Sequence, residues 1–346
     1  MLAKWKLQML KNRSILACSI TLLLIVLIGA SCSAAEEASR DVELQSNASQ
    51  EISKDSLVDS DDATGSEPEA VDIFDPKALE GLLAIHYLNL DNEAGKHGGD
   101  AIIIQSPDGK AMMIDSGISD MSSYVLDVLE QLDIEKLDAA VNTHIHSDHI
   151  GGFPDIMSSI KIDQFYMPHF PDKDWSARTL YQIAMRNIPL EYLEAGDTFA
   201  LGEELEFKVL NPGKGELPEA IKTFELDEVN DRSLVLMMTF RNKRFLFTGD
   251  ITIARQLNLM EEYGEDLQAD FMDAPHHGYS DAFSSRFVRM VSPEVAVVSV
   301  NRNPNYETML KYKNENIDLY STAMHGTILI TSDGSEINVL TEISPN

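Results

Sequence analysis

Between Val141 and Gly152 the chain reads VNTHIHSDHIGG, so a third of its nine histidines fall within six consecutive positions, together with Asp148. His144 and His146, two apart, can project to one side where the backbone leaves an extended run. Asp148 and His149 follow at once and, in a turning backbone, can point elsewhere. One short loop could thus offer two ligand pairs to two adjacent ions; the alternative is a polar loop in which titratable residues happen to gather. The spacing differs from the helical HExxH of single-zinc proteases. Imidazole with carboxylate suits zinc, manganese or iron, whereas magnesium or calcium would want more oxygen ligands.

Two distant stretches strengthen the metal reading. FLFTGD ends an apolar strand in Gly249-Asp250, placing a carboxylate at a strand exit, and DAPHHGYS offers His276 and His277 with Gly278 to turn the chain. Taken singly, these are a turn aspartate and a surface histidine pair. Three His/Asp clusters at strand exits make coincidence a weak explanation. Two cations about 3.5–4 Å apart lower the pKa of water and act as Lewis acids, so no serine or cysteine nucleophile is needed. That chemistry serves phosphodiesters, esters, thioesters and β-lactams alike.

The clusters need a scaffold that ends several strands together. LLAIHYLNL alternates like a strand, and AIIIQSPDGKAMMIDSG is two apolar runs around Pro107-Asp108-Gly109, a hairpin signal. SSYVLDVLEQLDI has helical spacing, and LDAAVNT predicts a short buried strand leading into the histidines. Farther on, SLVLMMTFRNKRFLFTGD predicts strand, turn, strand; ARQLNLMEEYG a helix; EVAVVSV a strand; TILITSDGSEINVL a closing hairpin. Hairpins mixed with βα units suit two mixed sheets covered by helices.

The order HxHxDHIGG, FTGD, PHHG resembles the metallo-β-lactamase fold superfamily. More narrowly, it is similar to the hydrolase domain of ComEC-type DNA-uptake proteins and their stand-alone exported relatives. GGDAIIIQSPDGKAMMIDSG, NDRSLVLMM, FLFTGDI, APHHGYS, PEVAVVSV and STAMHGTILI fall in that family's order, from about Leu82 to the C-terminus. The resemblance implies an α+β four-layer αββα sandwich with the metals at one edge between the sheets. By it, His144 and His146 bind a first metal; Asp148, His149 and His277 bind a second; Asp250 bridges. Asp148 and Asp250, with His325 where its loop approaches the site, form the candidate catalytic set. Asp115 supports the ligand loop, His276 orients its neighbours, and Asn230, Asp231 and Tyr306 are candidates to orient ligands or touch substrate. Two departures stand out. Where many members carry a further ligand histidine, VLNPG has Asn211, and His169 is the only histidine in that interval. Where relatives continue N-x-Y-x-H-P, this chain has NPNYETM and no histidine. His86 and His97 are expected as strand or surface residues, with GKHGGD near the mouth of the site.

Residues 1–32 read as an address. Lys4, Lys6, Lys11 and Arg13 precede the uncharged run SILACSITLLLIVLIGASC, the layout of an export signal. IGASC resembles a lipobox, with Cys32 lipidated after cleavage; an uncleaved anchor helix is the rival reading. Both expect the remainder outside the cytoplasmic membrane, tethered to its outer face, with the basic end inside. Residues 33–78, rich in Ser, Ala, Asp and Glu, are expected to be a disordered acidic linker, and 79–346 the hydrolase domain. Cys18 and Cys32 are the only cysteines, so no disulfide staples the domain. The net charge of -30 disfavours a nucleic-acid surface, although bound divalent cations can invert the local sign. Arg232, Lys243, Arg244, Arg286 and Arg289 are the few basic residues near the motifs.

The leading expectation is an exported, membrane-tethered hydrolase with two divalent ions, zinc or manganese, acting on a phosphodiester, extracellular DNA included. The alternatives are a hydrolase of a small ester, lactam or cell-envelope phosphoester, and a non-catalytic surface binding protein with a degenerate metal site.

Overall fold

The computed structural model describes residues 72–90, 98–171, 175–216, 226–280, 282–300 and 306–343. All belong to the second of two units into which the chain divides, Pro68–Asn346. The export segment with Cys32, the acidic stretch up to residue 71, and His97 lie outside the described residues. No helix among the described residues is long and apolar enough to cross a membrane.

Strand-forming runs follow one another from Leu83–Tyr87 (β1), Ile102–Gln105 (β2), Ala111–Ile114 (β3), Lys136–Leu137 (β4), Ala139–Val141 (β5), Lys161–Ile162 (β6), Phe165–Met167 (β7) and Leu190–Tyr192 (β8). They continue through Thr198–Leu201 (β9), Leu205–Asn211 (β10), Val235–Phe240 (β11), Lys243–Phe247 (β12), Phe271–Asp273 (β13), Val295–Val298 (β14), Asp318–Ser321 (β15), Ile328–Ser332 (β16) and Ile337–Thr341 (β17). One large sheet has the order β17-β16-β1-β2-β3-β5-β7-β8 and the other β15-β14-β13-β12-β11-β10-β9, while β4 and β6 pair in a small parallel ribbon. Both large sheets are mixed. The expected hairpins β2–β3, β11–β12 and β16–β17 are antiparallel, while β3–β5 and β12–β13–β14 run parallel.

Period-two alternation sorts the side chains into layers. Leu83, Ile85, Ile102, Ile104 and Met112 of the first sheet meet Phe207, Leu236, Met238, Phe245 and Phe271 of the second in a central core. Their neighbours Ala84, Ile103, Met113 and Ala140 turn outward, under Val125, Val128 and Leu129 of the helix Ser122–Gln131 and Ile156 of Phe153–Ser159. Met237, Leu246, Met272, Ala296 and Val298 face the other way, under Leu259 of Ile253–Tyr263 and Phe287 of Ser285–Val291. Both of those helices start on a hydroxyl cap: Thr252 accepts from the Ala254 amide and Ser284 from that of Phe287. The result is an αββα sandwich, in which central strands such as β1, β3 and β14 are buried on both faces.

The described residues begin at Asp72, ahead of Leu79. Ile73 is buried, and its carbonyl accepts a 2.8 Å hydrogen bond from Nε2 of His86. Phe74 stacks on the His86 ring, with centroids 5.9 Å apart. His86 itself is fully buried, because β1 lies inside the sheet between β16 and β2.

The parallel pairings bring strand exits to a common rim. Asp115 follows β3, His144 follows β5, Asp250 follows β12 and the His276-His277 pair follows β13. Two backbone bonds tie those exits together: Leu234 N donates to Thr143 O at 2.9 Å, and His276 N to Gly249 O at 3.1 Å.

Candidate metal centre

Asp115 organises the ligand loop from a left-handed turn position, with φ at 54°. One oxygen accepts from the Thr143 amide (2.7 Å) and the Asn142 side chain (3.0 Å). The other accepts from the Thr143 hydroxyl (2.6 Å) and lies 2.8 Å from Nδ1 of His149. With its hydrogen committed to Asp115, the Thr143 hydroxyl is an acceptor for Nδ1–H of His144, 3.0 Å away. In the neutral rings, Nε2 of both His144 and His149 is thereby left as a lone pair facing inward. Nε2 of His144 lies 2.9 Å from Nδ1 of His146, the spacing of neighbouring ligands on one cation with bonds of about 2.0–2.1 Å.

Asp250 completes the arrangement from the other sheet. Gly249, with φ at 51°, lets the chain turn after β12, where an added Cβ would come within 2.9 Å of Ser233 Cβ. The Asp250 amide donates to Ser233 Oγ at 3.1 Å. Its Oδ2 then stands 3.2 Å from His149 Nε2, 3.4 Å from His277 Nε2, 3.6 Å from His144 Nε2 and 3.9 Å from His276 Nε2. His276 and His277 both hold left-handed backbone, φ 49° and 51°. Such conformations in non-glycine residues cost free energy and persist where surrounding structure imposes them, often at functional sites.

A residue absent from the sequence-based site is Asp100, buried just before β2. His277 Nδ1 donates to Ser299 O at 3.1 Å and lies 3.3 Å from Asp100 Oδ1. By proximity, two ligand groupings form: Asp100 with His149, Asp250 and His277, and Asp250 with His144 and His146. Asp100, however, approaches both rings from the Nδ1 side, 4.0 Å from His149 Nδ1, whereas Asp250 meets their Nε2 atoms. Asp100 is therefore a charge neighbour at the Nδ1 edge of His277, whose ring is oriented by the Ser299 carbonyl as that of His149 is by Asp115. The signal for it was the GGD that precedes the β2 alternation. Gly99 has φ at 82°, and a side chain there would collide with the backbone oxygen of Asp148, so only glycine lets Asp100 reach this place.

The donor set fits cations. Nε2 of His149 and Oδ1 of Asp250 are buried without a hydrogen-bond partner, a costly arrangement unless a further positive centre joins them. The charges point the same way. Burial alone would raise the Asp250 carboxyl, but the imidazoles of His149, His277 and His144 hold it well below the usual carboxylate range. Burial would lower His149, but Asp250, Asp115 and Asp148 push it well above the ordinary imidazole value. His277 is raised likewise, by Asp250 and Asp100 against burial. His144 goes the other way, lowered by burial and then by the charge on His149. Without a cation, protons thus occupy positions that metal ions would take.

The remaining candidates divide. Asp148 is part-exposed, and its Oδ2 lies 3.8 Å from His277 Nε2; it belongs to neither proximity grouping. Nδ2 of Asn230 is 3.3 Å from His276 Nε2, and Asp231 Oδ1 accepts from the Thr252 amide at 2.9 Å. Asn211, at the position of the missing histidine, is buried and spends its amide on the carbonyls of Asp231 and Ser233, at 2.9 and 2.7 Å. His169 is exposed and packs edge-on against Tyr192. His325 is tied to the backbone of Ser321 and packs on Tyr320, and Tyr306 is 73% exposed; neither joins the histidine cluster.

Buried imidazoles and carboxylates at the rim of an αββα sandwich define the centre of a metal-dependent hydrolase. Residues 94–300 match the model of the Metallo-beta-lactamase superfamily, and the chain belongs to that superfamily. It is 25% identical over 201 residues to ComE operon protein 3 of Bacillus subtilis (strain 168), covering 56% of this chain and 24% of that protein. It is 25% identical over 225 residues to Competence protein ComA of Neisseria gonorrhoeae, covering 64% of this chain and 28% of that one. The chain thus spans about a quarter of the length of these relatives. Similar solved structures include a long-form RNase Z from yeast, with 10% identity, a TM-score of 0.49 and coverage of 77% of this chain and 50% of that one. Another is a putative metal-dependent hydrolase from Parabacteroides distasonis, with 15% identity, a TM-score of 0.40 and coverage of 68% and 98%.

Proposed function

We propose that this chain is an exported, membrane-tethered hydrolase that uses two divalent ions, zinc or manganese, to cleave phosphodiesters. The observation that carries the reading is the Asp250 oxygen set within 3.2–3.9 Å of four imidazole nitrogens, a bridging position between two ligand groups. His144 and His146 would hold one ion, His149 and His277 the other with Asp148 at its open side, and Asp250 would serve both. Ions held there supply a nucleophile from water at neutral pH and neutralise charge developing on a phosphoryl group. The chain's own part is orientation and charge. Asp115 and the Ser299 carbonyl fix which nitrogens of His149 and His277 face the site, Asp100 adds negative charge beside His277, Asn230 steadies His276, and Asp250 stays ionised.

A phosphodiester substrate is supported by the resemblance of the motif set to the hydrolase domain of ComEC-type DNA-uptake proteins and by the similarity to Competence protein ComA of Neisseria gonorrhoeae. A short substrate is favoured over a long duplex. Arg232 pairs with Glu228, Lys243 with Asp270 and Glu294, and Arg289 with Glu315, while Arg244 donates to the Asp266 carbonyl, so these cations form no open phosphate track. The export signal and acidic linker support a position on the outer membrane face.

The test is a substrate panel on the metal-loaded full chain: bis-p-nitrophenyl phosphate, single-stranded DNA and a chromogenic lactam. Phosphodiester turnover that disappears in His149→Ala and Asp250→Ala supports the reading. Turnover of the lactam alone overturns it.

A further inference from the structure

Two large aromatic side chains stand beside the histidine cluster yet stay open to solvent: Trp175 is 46% exposed and Tyr279 44%. A line of ring contacts joins them through the site. Trp175 touches His146 with centroids 5.4 Å apart, His146 touches His144 at 4.6 Å, and His144 touches His149 at 4.1 Å. His149 then meets His277 at 5.2 Å, and Tyr279 closes the line against His277 at 5.9 Å and His276 at 5.1 Å. One ring therefore flanks the His144–His146 half of the centre and the other the His149–His277 half.

Neither position is accidental packing at a core margin. Trp175 precedes the helix Ala177–Arg186 beside the fully buried Ser176, and the Tyr279 amide donates to the His276 carbonyl at 3.0 Å. Each ring stands at the rim with nearly half of its surface in water, where an aromatic side chain forgoes part of the burial it normally finds. Such a ring next to a reaction centre offers a flat apolar face to whatever occupies that centre.

We propose that Trp175 and Tyr279 are stacking platforms for the bases on either side of the cleaved bond, which makes the substrate a short single-stranded nucleotide chain. The inference rests on the phosphodiester reading and narrows it. Stacking on aromatic rings accepts any base and needs no lysine or arginine. It supplies affinity that a chain of net charge -30 does not obtain from phosphate contacts.

The experiment compares a thymidylate oligomer with an abasic oligomer of equal length and charge, on the metal-loaded full chain. Trp5 and Trp175 are the only tryptophans, so emission lost in Trp175→Phe isolates the signal of Trp175. Thymidylate is expected to quench that signal and the abasic chain to leave it. The ratio of kcat/KM, thymidylate over abasic, is expected to fall about tenfold in Trp175→Ala and in Tyr279→Ala, with partial recovery in Trp175→Phe and Tyr279→Phe. Equal handling of both oligomers by the wild-type chain overturns the platforms while leaving phosphodiester hydrolysis standing. Variants that lose bound metal and both substrates in parallel also overturn them, since the rings then only pack the histidines. Quenching by thymidylate without turnover of any phosphodiester keeps the platforms and removes the reaction.

Discussion

Oδ2 of Asp115 lies 2.8 Å from Nδ1 of His149, and this contact decides which nitrogen of His149 faces Asp250. An amide in place of the carboxylate would present either a weaker acceptor or a competing donor. Asp115→Asn is expected to fold and to bind metal about 10–100-fold more weakly. Competition with a chromogenic chelator measures it; unchanged affinity would remove Asp115 from any orienting role.

Asp100 lies 3.3 Å from Nδ1 of His277, beside the Ser299 carbonyl that accepts from that nitrogen, and adds charge to it. Asp100→Asn is expected to weaken metal binding by a similar factor while still filling both sites at saturating metal. Permanent loss of one ion at saturation would instead make Asp100 a ligand in its own right.

The contrast between these two aspartates shows what the sequence carried. The hairpins, the helix Ser122–Gln131 and the strand exits at His144, Asp250 and His277 follow from alternation, helical spacing and punctuation by glycine. Asp115 was found through the resemblance, because MIDSG matches the early aspartate of that family. Asp100 precedes a strand, and nothing local indicates that Gly99 lets it pass over the Asp148 backbone toward a ring from residue 277. Trp175 was missed for the same reason, since its contact with His146 spans unrelated segments. The short strands β8 and β9, with exposed positions in both, gave no clear alternation. The pairing of β1 with β16 joins residues too far apart for any local pattern to report.

Gly99→Ala probes that passage. A side chain would clash with the Asp148 backbone oxygen from a left-handed position, φ 82°. The expected cost is about 1–3 kcal/mol of stability, together with reduced metal occupancy as the His149 loop shifts. Thermal unfolding and elemental analysis would record both; a normal melt with full occupancy would contradict the tight packing described for this loop.

His86 gives a pH dependence remote from the metal. Burial lowers its pKa from 6.5 to about 4, the bond to the Ile73 carbonyl opposing only in part. Between those values the unfolded chain binds more protons, so the contribution of neutral His86 is whole above about pH 6.5 and fades as pH falls toward 4. From pH 7.5 to pH 5 the wild-type chain is expected to lose about 2 kcal/mol more than His86→Gln, read by urea unfolding. Parallel pH profiles for the two proteins would show that His86 is not held neutral.

Metal content of the purified full chain, after saturation and removal of loosely bound ions, bears most directly on the proposal that Asp250 serves two ions. Elemental analysis should find about two divalent ions per chain in the wild-type protein, and Asp250→Ala should lose both ions together while remaining folded. One ion or none in the wild-type chain, or an Asp250→Ala protein that keeps its full complement, would contradict a binuclear centre built on that carboxylate.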